Sequence, residues 1–256
     1  MPNDLTTTDN QPLTINEDVQ LPAWAADLEP TGTEELGQFV RTPRLRVMQS
    51  QTDRVLVDQH GEGSPVIMPD GVKVAEYQHP FDVVTVAFWP TWAKVGDVND
   101  TESDFIMLES WDADSELARR AKSPSLREES YGAGNKYTAK YQEHLNFAVI
   151  IDSGPATGMP CLINFSSGSW QTGSTLSGYL RRRQCPLYIN RVKFVTEPRS
   201  NKRNQSWFDL AFGTADPAFV PQERVESLAT LHGEFMDNVT MMREAAKAEQ
   251  QVDVEG

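Results

Sequence analysis

Apolar and polar residues change their spacing several times along this chain, and each change marks an element. Over residues 44–49 (RLRVMQ) they alternate, the period of a strand with one buried face. Residues 54–57 and 64–68 are expected as further short strands, set apart by Gly61 and Gly63. The run Pro69, Asp70, Gly71 is a turn in which glycine supplies the positive φ. Residues 81–92 make the strongest strand, with Val83, Val84, Val86, Phe88 and Trp89 all β-branched or aromatic. In 144–151, Leu145, Phe147, Val149 and Ile151 share one face, and a turn through Gly154, Pro155 and Gly158 leads to a partner strand at 160–165.

The period then becomes helical. Trp170, Leu176, Tyr179 and Leu180 predict a helix over 170–183, although Gly173 and Gly178 each weaken it by up to about 1 kcal/mol if interior. Strand spacing returns at 187–195 and 206–212, around a polar turn at 198–204. Val225, Leu228, Leu231, Phe235, Val239 and Met242 recur at threes and fours, predicting a helix over 221–248 with Pro221 in its first turn.

The stretches between are polar. Residues 1–40 hold eight acidic residues and no Lys or Arg, so they are expected to be a disordered acidic arm with one sticky patch around Trp24. Residues 94–135 form a polar insertion within the 41–220 domain. Acids from Asp97 to Glu116 come first and Arg119, Arg120 and Lys122 follow, with helix near 113–122 and a loop at 131–136. Residues 249–256 read as a loose acidic tail.

Several strands, a hairpin, a helix and two more strands predict a mainly β domain with helices. The order fits an OB-fold-like antiparallel barrel with one inserted helix, followed by a C-terminal helix. A β-sandwich with one crossover helix is the alternative.

Charge changes this picture most. The chain is 256 residues long with a formal net charge of −14, which argues against coating nucleic acid by net charge alone. The charge is segregated, however. From Lys140 to Phe212 the cations are Lys140, Arg181, Arg182, Arg183, Arg191, Lys193, Arg199, Lys202 and Arg203, against Glu143, Asp152, Glu197 and Asp209. Aromatic residues interleave with them. Trp170, Tyr179, Tyr188 and Trp207 are the candidates for base stacking, with the nine cations as phosphate contacts. Unpaired bases need flat faces and phosphates need cations, so this mixture points to single-stranded nucleic acid. Each part also has a plainer reading. A helix dipole favours arginines at its C-terminus, strand alternation puts Tyr188, Phe194 and Phe208 in a core, and the turn 199–204 is also an ordinary solvated tip.

No catalytic or metal motif emerges. His60, His79, His144 and His232 are scattered, and the acids at 97–104 lack the glycine and terminal glutamate of a calcium loop. Gly154–Gly158 lacks the Gly-Lys-Ser/Thr of a phosphate loop, and Ser169 has no evident base. Neither a cofactor nor a metal is expected. Cys161 and Cys185 read as reduced thiols of a cytoplasmic protein. No apolar run reaches the ~18 residues of a membrane span, and the N-terminus has no signal-peptide pattern.

RLRVMQS at 44–50 after an acidic arm, PCLINFS at 160–166 leading into a helix, and PLY at 186–188 before a closing strand give the chain a resemblance. It resembles phage-encoded single-stranded DNA-binding proteins of OB-fold type. The resemblance implies a non-enzymatic protein that protects or presents single-stranded DNA in replication or recombination in the host cytoplasm. Replication or recombination proteins would dock on its acidic tails, and self-association stays open. The alternative is a virion or scaffold protein with acidic docking arms.

Overall fold

A computed structural model describes residues 43–96, 106–122, 130–131, 135–139, 141–200 and 206–255. The acidic arm, the acids at 97–105, Lys140, Lys202 and Arg203 lie outside the described residues. The strands are β1 (Arg44–Val47), β2 (Pro65–Met68), β3 (Val72–Lys73), β4 (Phe81–Val95), β5 (Ile106–Ser110), β6 (Ser130–Tyr131), β7 (Asn135–Ala139), β8 (Tyr141–Ile151), β9 (Pro160–Phe165), β10 (Asn190–Ser200) and β11 (Ser206–Phe219). The helices are α1 (Arg54–His60), α2 (Glu116–Lys122), α3 (Trp170–Arg182) and α4 (Val225–Glu255).

Nine strands form one curled sheet, a half-barrel, in the order β11-β10-β4-β8-β9-β1-β2-β3. β5 pairs with the far end of β4, and β6 and β7 form a separate hairpin. Pairing is antiparallel except between β1 and β9, which run parallel with Arg44 opposite Leu162. β4 is the spine. Its start pairs with β10 and its stretch from Val83 to Lys94 with β8, through a bulge at Val86 that shifts the register between Thr85 and Ala87.

Helices cover both faces. On one, Leu145, Phe147, Val149 and Ile151 of β8 pack with Phe81, Val83, Ile163, Phe165, Val192, Phe194 and Leu210 beneath Leu176 and Leu180 of α3. Gly173 is what lets α3 come so near, because a Cβ there would lie 2.6 Å from that of Phe165. On the other face Val84, Val86, Trp89 and Ala148 meet Leu228 and Val239 of α4. The Val86 carbonyl, displaced by the bulge, accepts a hydrogen bond from His232 Nδ1 on α4 at 2.7 Å. A smaller cluster joins Trp92 and Tyr141 to Ala118 and Ala121 of α2, so the polar insertion is anchored on the sheet.

Several sequence expectations change. Residues 54–57 are helical: the Asp53 side chain caps α1 by accepting from the Val55 amide, and Gly61 at φ 85° ends it. That cap outweighs the strand preference of three β-branched or aliphatic residues, and Val55 is left 71% exposed. The strand expected from Leu187 begins at Asn190, because the Asn190 side-chain Nδ2 donates to the carbonyls of Pro186 and Leu187 and holds 187–189 in a 3-10 turn. β6 and part of β7 occupy the loop expected at 131–136. α4 runs through Glu255, past the end read from sequence. No described helix is long and apolar enough to cross a membrane.

Candidate nucleic-acid interface

α3 begins at a 3-10 turn, Ser167–Ser169, where the Ser169 hydroxyl accepts from the Ser166 amide and donates to the Ser166 carbonyl. From there α3 follows β11. Trp207, near the start of β11, lies against the turn: a Cβ on Gly168 would come 3.5 Å from its indole. Further along, Tyr179 packs on Phe212 with ring centroids 5.0 Å apart. Near the end, the Arg183 guanidinium sits 4.0 Å from the Phe219 ring centroid and donates to the Tyr179 hydroxyl at 2.5 Å. Thirteen helical residues span about 20 Å. Tyr179 and Trp207 are therefore brought onto one line, with Arg199 at one end and Arg181 to Arg183 at the other.

The cations on this line differ in availability. Arg181 and Arg182 are exposed and form no ion pair with a described residue. Arg183 is held by its two rings. Arg199 lies opposite Trp207 across the β10–β11 hairpin and meets Glu197 at 3.5 Å, an exposed pair that contributes little.

Other expected site residues are placed elsewhere. Alternation along β10 puts Arg191 and Lys193 on the sheet face opposite Val192 and Phe194, away from α3. Arg191 lies 2.8 Å from Asp152 and 3.1 Å from Asp82, and Asp152 also binds Arg224. This cluster ties the start of α4 to the sheet and occupies Arg191 structurally. Lys193 is half-buried. Tyr188 packs under α4, 5.3 Å from the His232 ring. Trp170 flanks the same turn as Trp207, but its N–H donates to Glu143 at 3.0 Å. The other Glu143 oxygen accepts from the Trp92 indole at 3.2 Å, so one carboxylate fastens α3 to the sheet through two indoles.

The structure adds Arg44 and Arg46. Both are exposed on β1, on the side away from buried Leu45, and neither makes an ion pair with a described residue. Beside them a polar chain crosses the sheet. The Asn164 side-chain Nδ2 donates to Asn146 Oδ1 at 2.8 Å, and Asn146 Nδ2 to the Thr91 hydroxyl at 3.1 Å. Next to it, His144 is 3% exposed and burial lowers its pKa, with Arg44 acting in the same direction and Glu109 against. The RLRV alternation carried the signal for both arginines, since a strand that buries Leu45 must expose its neighbours.

Among the described residues no three His, Cys, Asp or Glu side chains group as a metal site. Cys161 is buried, which pushes its thiol pKa up to about 12, and Cys185 is half-buried; both are free thiols. No family model, curated protein or solved structure matches the chain.

Proposed function

We propose that this protein binds single-stranded DNA without catalysing a reaction on it. One observation carries the reading. In a chain with net charge −14, where a carboxylate partner is easy to find, Arg44, Arg46, Arg181 and Arg182 stand exposed and unpaired among the described residues. Leaving such charges free in an acidic protein makes sense for a polyanionic ligand. Trp207, opposite Arg199 on the β10–β11 pair, is half-buried and offers a face for a base.

The connectivity supports an OB-like reading of the half-barrel. β4 pairs with β8 and β8 with β9, α3 follows, and β10 pairs with both β4 and β11. In a closed OB barrel the last pairing would join β9 to β11. Here β1 stands in that gap, paired with β9 and linked to β11 by a Gln49 side chain. In OB folds the first and last hairpin loops hold oligonucleotides. On this alignment the last one is the β10–β11 hairpin, which carries Arg199 and, in sequence, Lys202 and Arg203.

The test is fluorescence anisotropy with labelled oligo(dT) at two salt concentrations. With three phosphates neutralised, affinity should fall roughly 20-fold between 50 and 200 mM salt. Replacing Arg181 and Arg182 with Glu should weaken binding and cut the logarithmic salt slope by at least about 1.4. No binding at low salt, or an unchanged slope in the variant, would sink the reading as drawn.

A further inference from the structure

The seam where β1 replaces the closing strand pair opens into a cleft of about 310 Å³, bounded by β9, β1 and the start of β11. That volume lies at the lower end of ligand pockets and suits one heterocycle. Its floor is apolar, formed by Leu45, Ile163, Phe165 and Leu210 of the core. The cleft reaches both faces of the sheet at this seam, so the residues alternating with these, Arg46, Asn164 and Asp209, line it from the opposite face, where it is polar.

Two of the polar groups carry opposite charges. Arg46 and Asp209 line one cleft, yet no ion pair joins them or ties either to another described residue. One Asp209 oxygen accepts from the Leu210 amide at 2.8 Å, and the other has no described partner. Burial raises the Asp209 pKa, while that hydrogen bond and Arg199 pull it down. A ligand for this cleft must offer donors to the carboxylate and acceptors to the guanidinium, within a flat body that fits an apolar slot.

We propose that the seam cleft holds one base of the bound strand, and that the base is guanine. This rests on the single-strand reading above. Among the four bases guanine alone presents two neighbouring donors, N1–H and the 2-amino group, to a carboxylate. Its O6 and N7 acceptors are the edge that arginine reads. Thymine sets its one donor between two carbonyls, which a carboxylate repels. Adenine and cytosine put a ring acceptor beside their amino group. Asp209 is thus the specificity residue and Arg46 its partner.

The experiment has two arms. In the first, short oligo(dT) strands carrying a central guanine, hypoxanthine or thymine are compared by anisotropy. The guanine strand should bind roughly tenfold tighter. Hypoxanthine, lacking the 2-amino group, should lose most of that gain, and Asp209→Asn should abolish the ranking while oligo(dT) itself still binds. In the second, dGMP, dIMP and TMP are titrated into the full chain and amide shifts recorded. dGMP should move the Gln49, Asp209 and Leu210 amides and TMP should not. Equal affinity for all three strands with those amides unmoved overturns the pocket and leaves strand binding standing. Shifts with dGMP, but no oligonucleotide bound at low salt, uphold the base site and overturn the single-strand reading.

Discussion

Gln49 does the work of a missing strand. Its carboxamide accepts from the Phe208 amide at 2.8 Å and donates to the Phe208 carbonyl at 2.7 Å, which is how one strand residue meets another. The bridge joins β1 to β11 across the seam. Gln49→Ala removes both bonds, together with the donation from Nε2 to the Val47 carbonyl at 3.2 Å, at a half-buried site. At about 0.5–1.5 kcal/mol net per hydrogen bond, the pair contributes about 1–3 kcal/mol. In a domain of this size each 1 kcal/mol shifts Tm by about 2–4 °C. Urea unfolding followed by Trp fluorescence should therefore show a lower midpoint with an unchanged slope, and amide exchange at Phe208 should accelerate. Gln49→Glu separates hydrogen bonding from bulk. The carboxylate still accepts from the amide but confronts the carbonyl, so at neutral pH it should be no more stable than the alanine variant. It should recover as acid protonates the glutamate and restores a donor. A Gln49→Ala protein within about 0.5 kcal/mol of wild type, the range of an ordinary surface change, with Phe208 equally protected, would refute the bridge.

Asp209→Asn should raise stability at pH 7, because burial disfavours the charged carboxylate. The folded state holds that proton more tightly than the unfolded chain, so the gain should shrink as pH falls through the carboxyl range; urea midpoints against pH measure it. For His144 the sign is opposite. Burial lowers its folded pKa below 6.5, so stability is whole above that pH and declines as the unfolded chain takes up a proton below it. His144→Gln should flatten that decline without removing it, since buried His60 is shifted the same way. Thiol labelling at pH 8 should modify Cys185 well before Cys161, and equal rates in the folded protein would contradict the burial of Cys161.

Elements whose period spans ten residues or more were legible from sequence. β8 declares its buried face through Leu145, Phe147, Val149 and Ile151, and α3 and α4 through apolar spacings of three and four. The short strands β1, β2 and β9 were also read where they lie, but the seven residues of α1 carry too little periodicity to fix its type. In α1 the Asp53 cap outweighs a run that looks like strand. What the site needs is also non-local. Arg191 looked like a free cation, and its partners Asp82 and Asp152 lie 109 and 39 residues away along the chain. Charge and aromatic content pointed to the β10–β11 hairpin and α3 as the candidate surface. The seam depends on where β1 docks, and no local pattern encodes that.

The placement of β1 also bears on how the protein is made. β1 leaves the ribosome before its partners, since its neighbour β9 and the Phe208 backbone that Gln49 holds follow more than a hundred residues later. At about 5–20 residues per second, the nascent β1–β2 hairpin waits for seconds with one edge unpaired and Leu45 uncovered. Chains cut short before β9 should be the ones that demand chaperones, because the seam closes only once β9 and β11 have emerged.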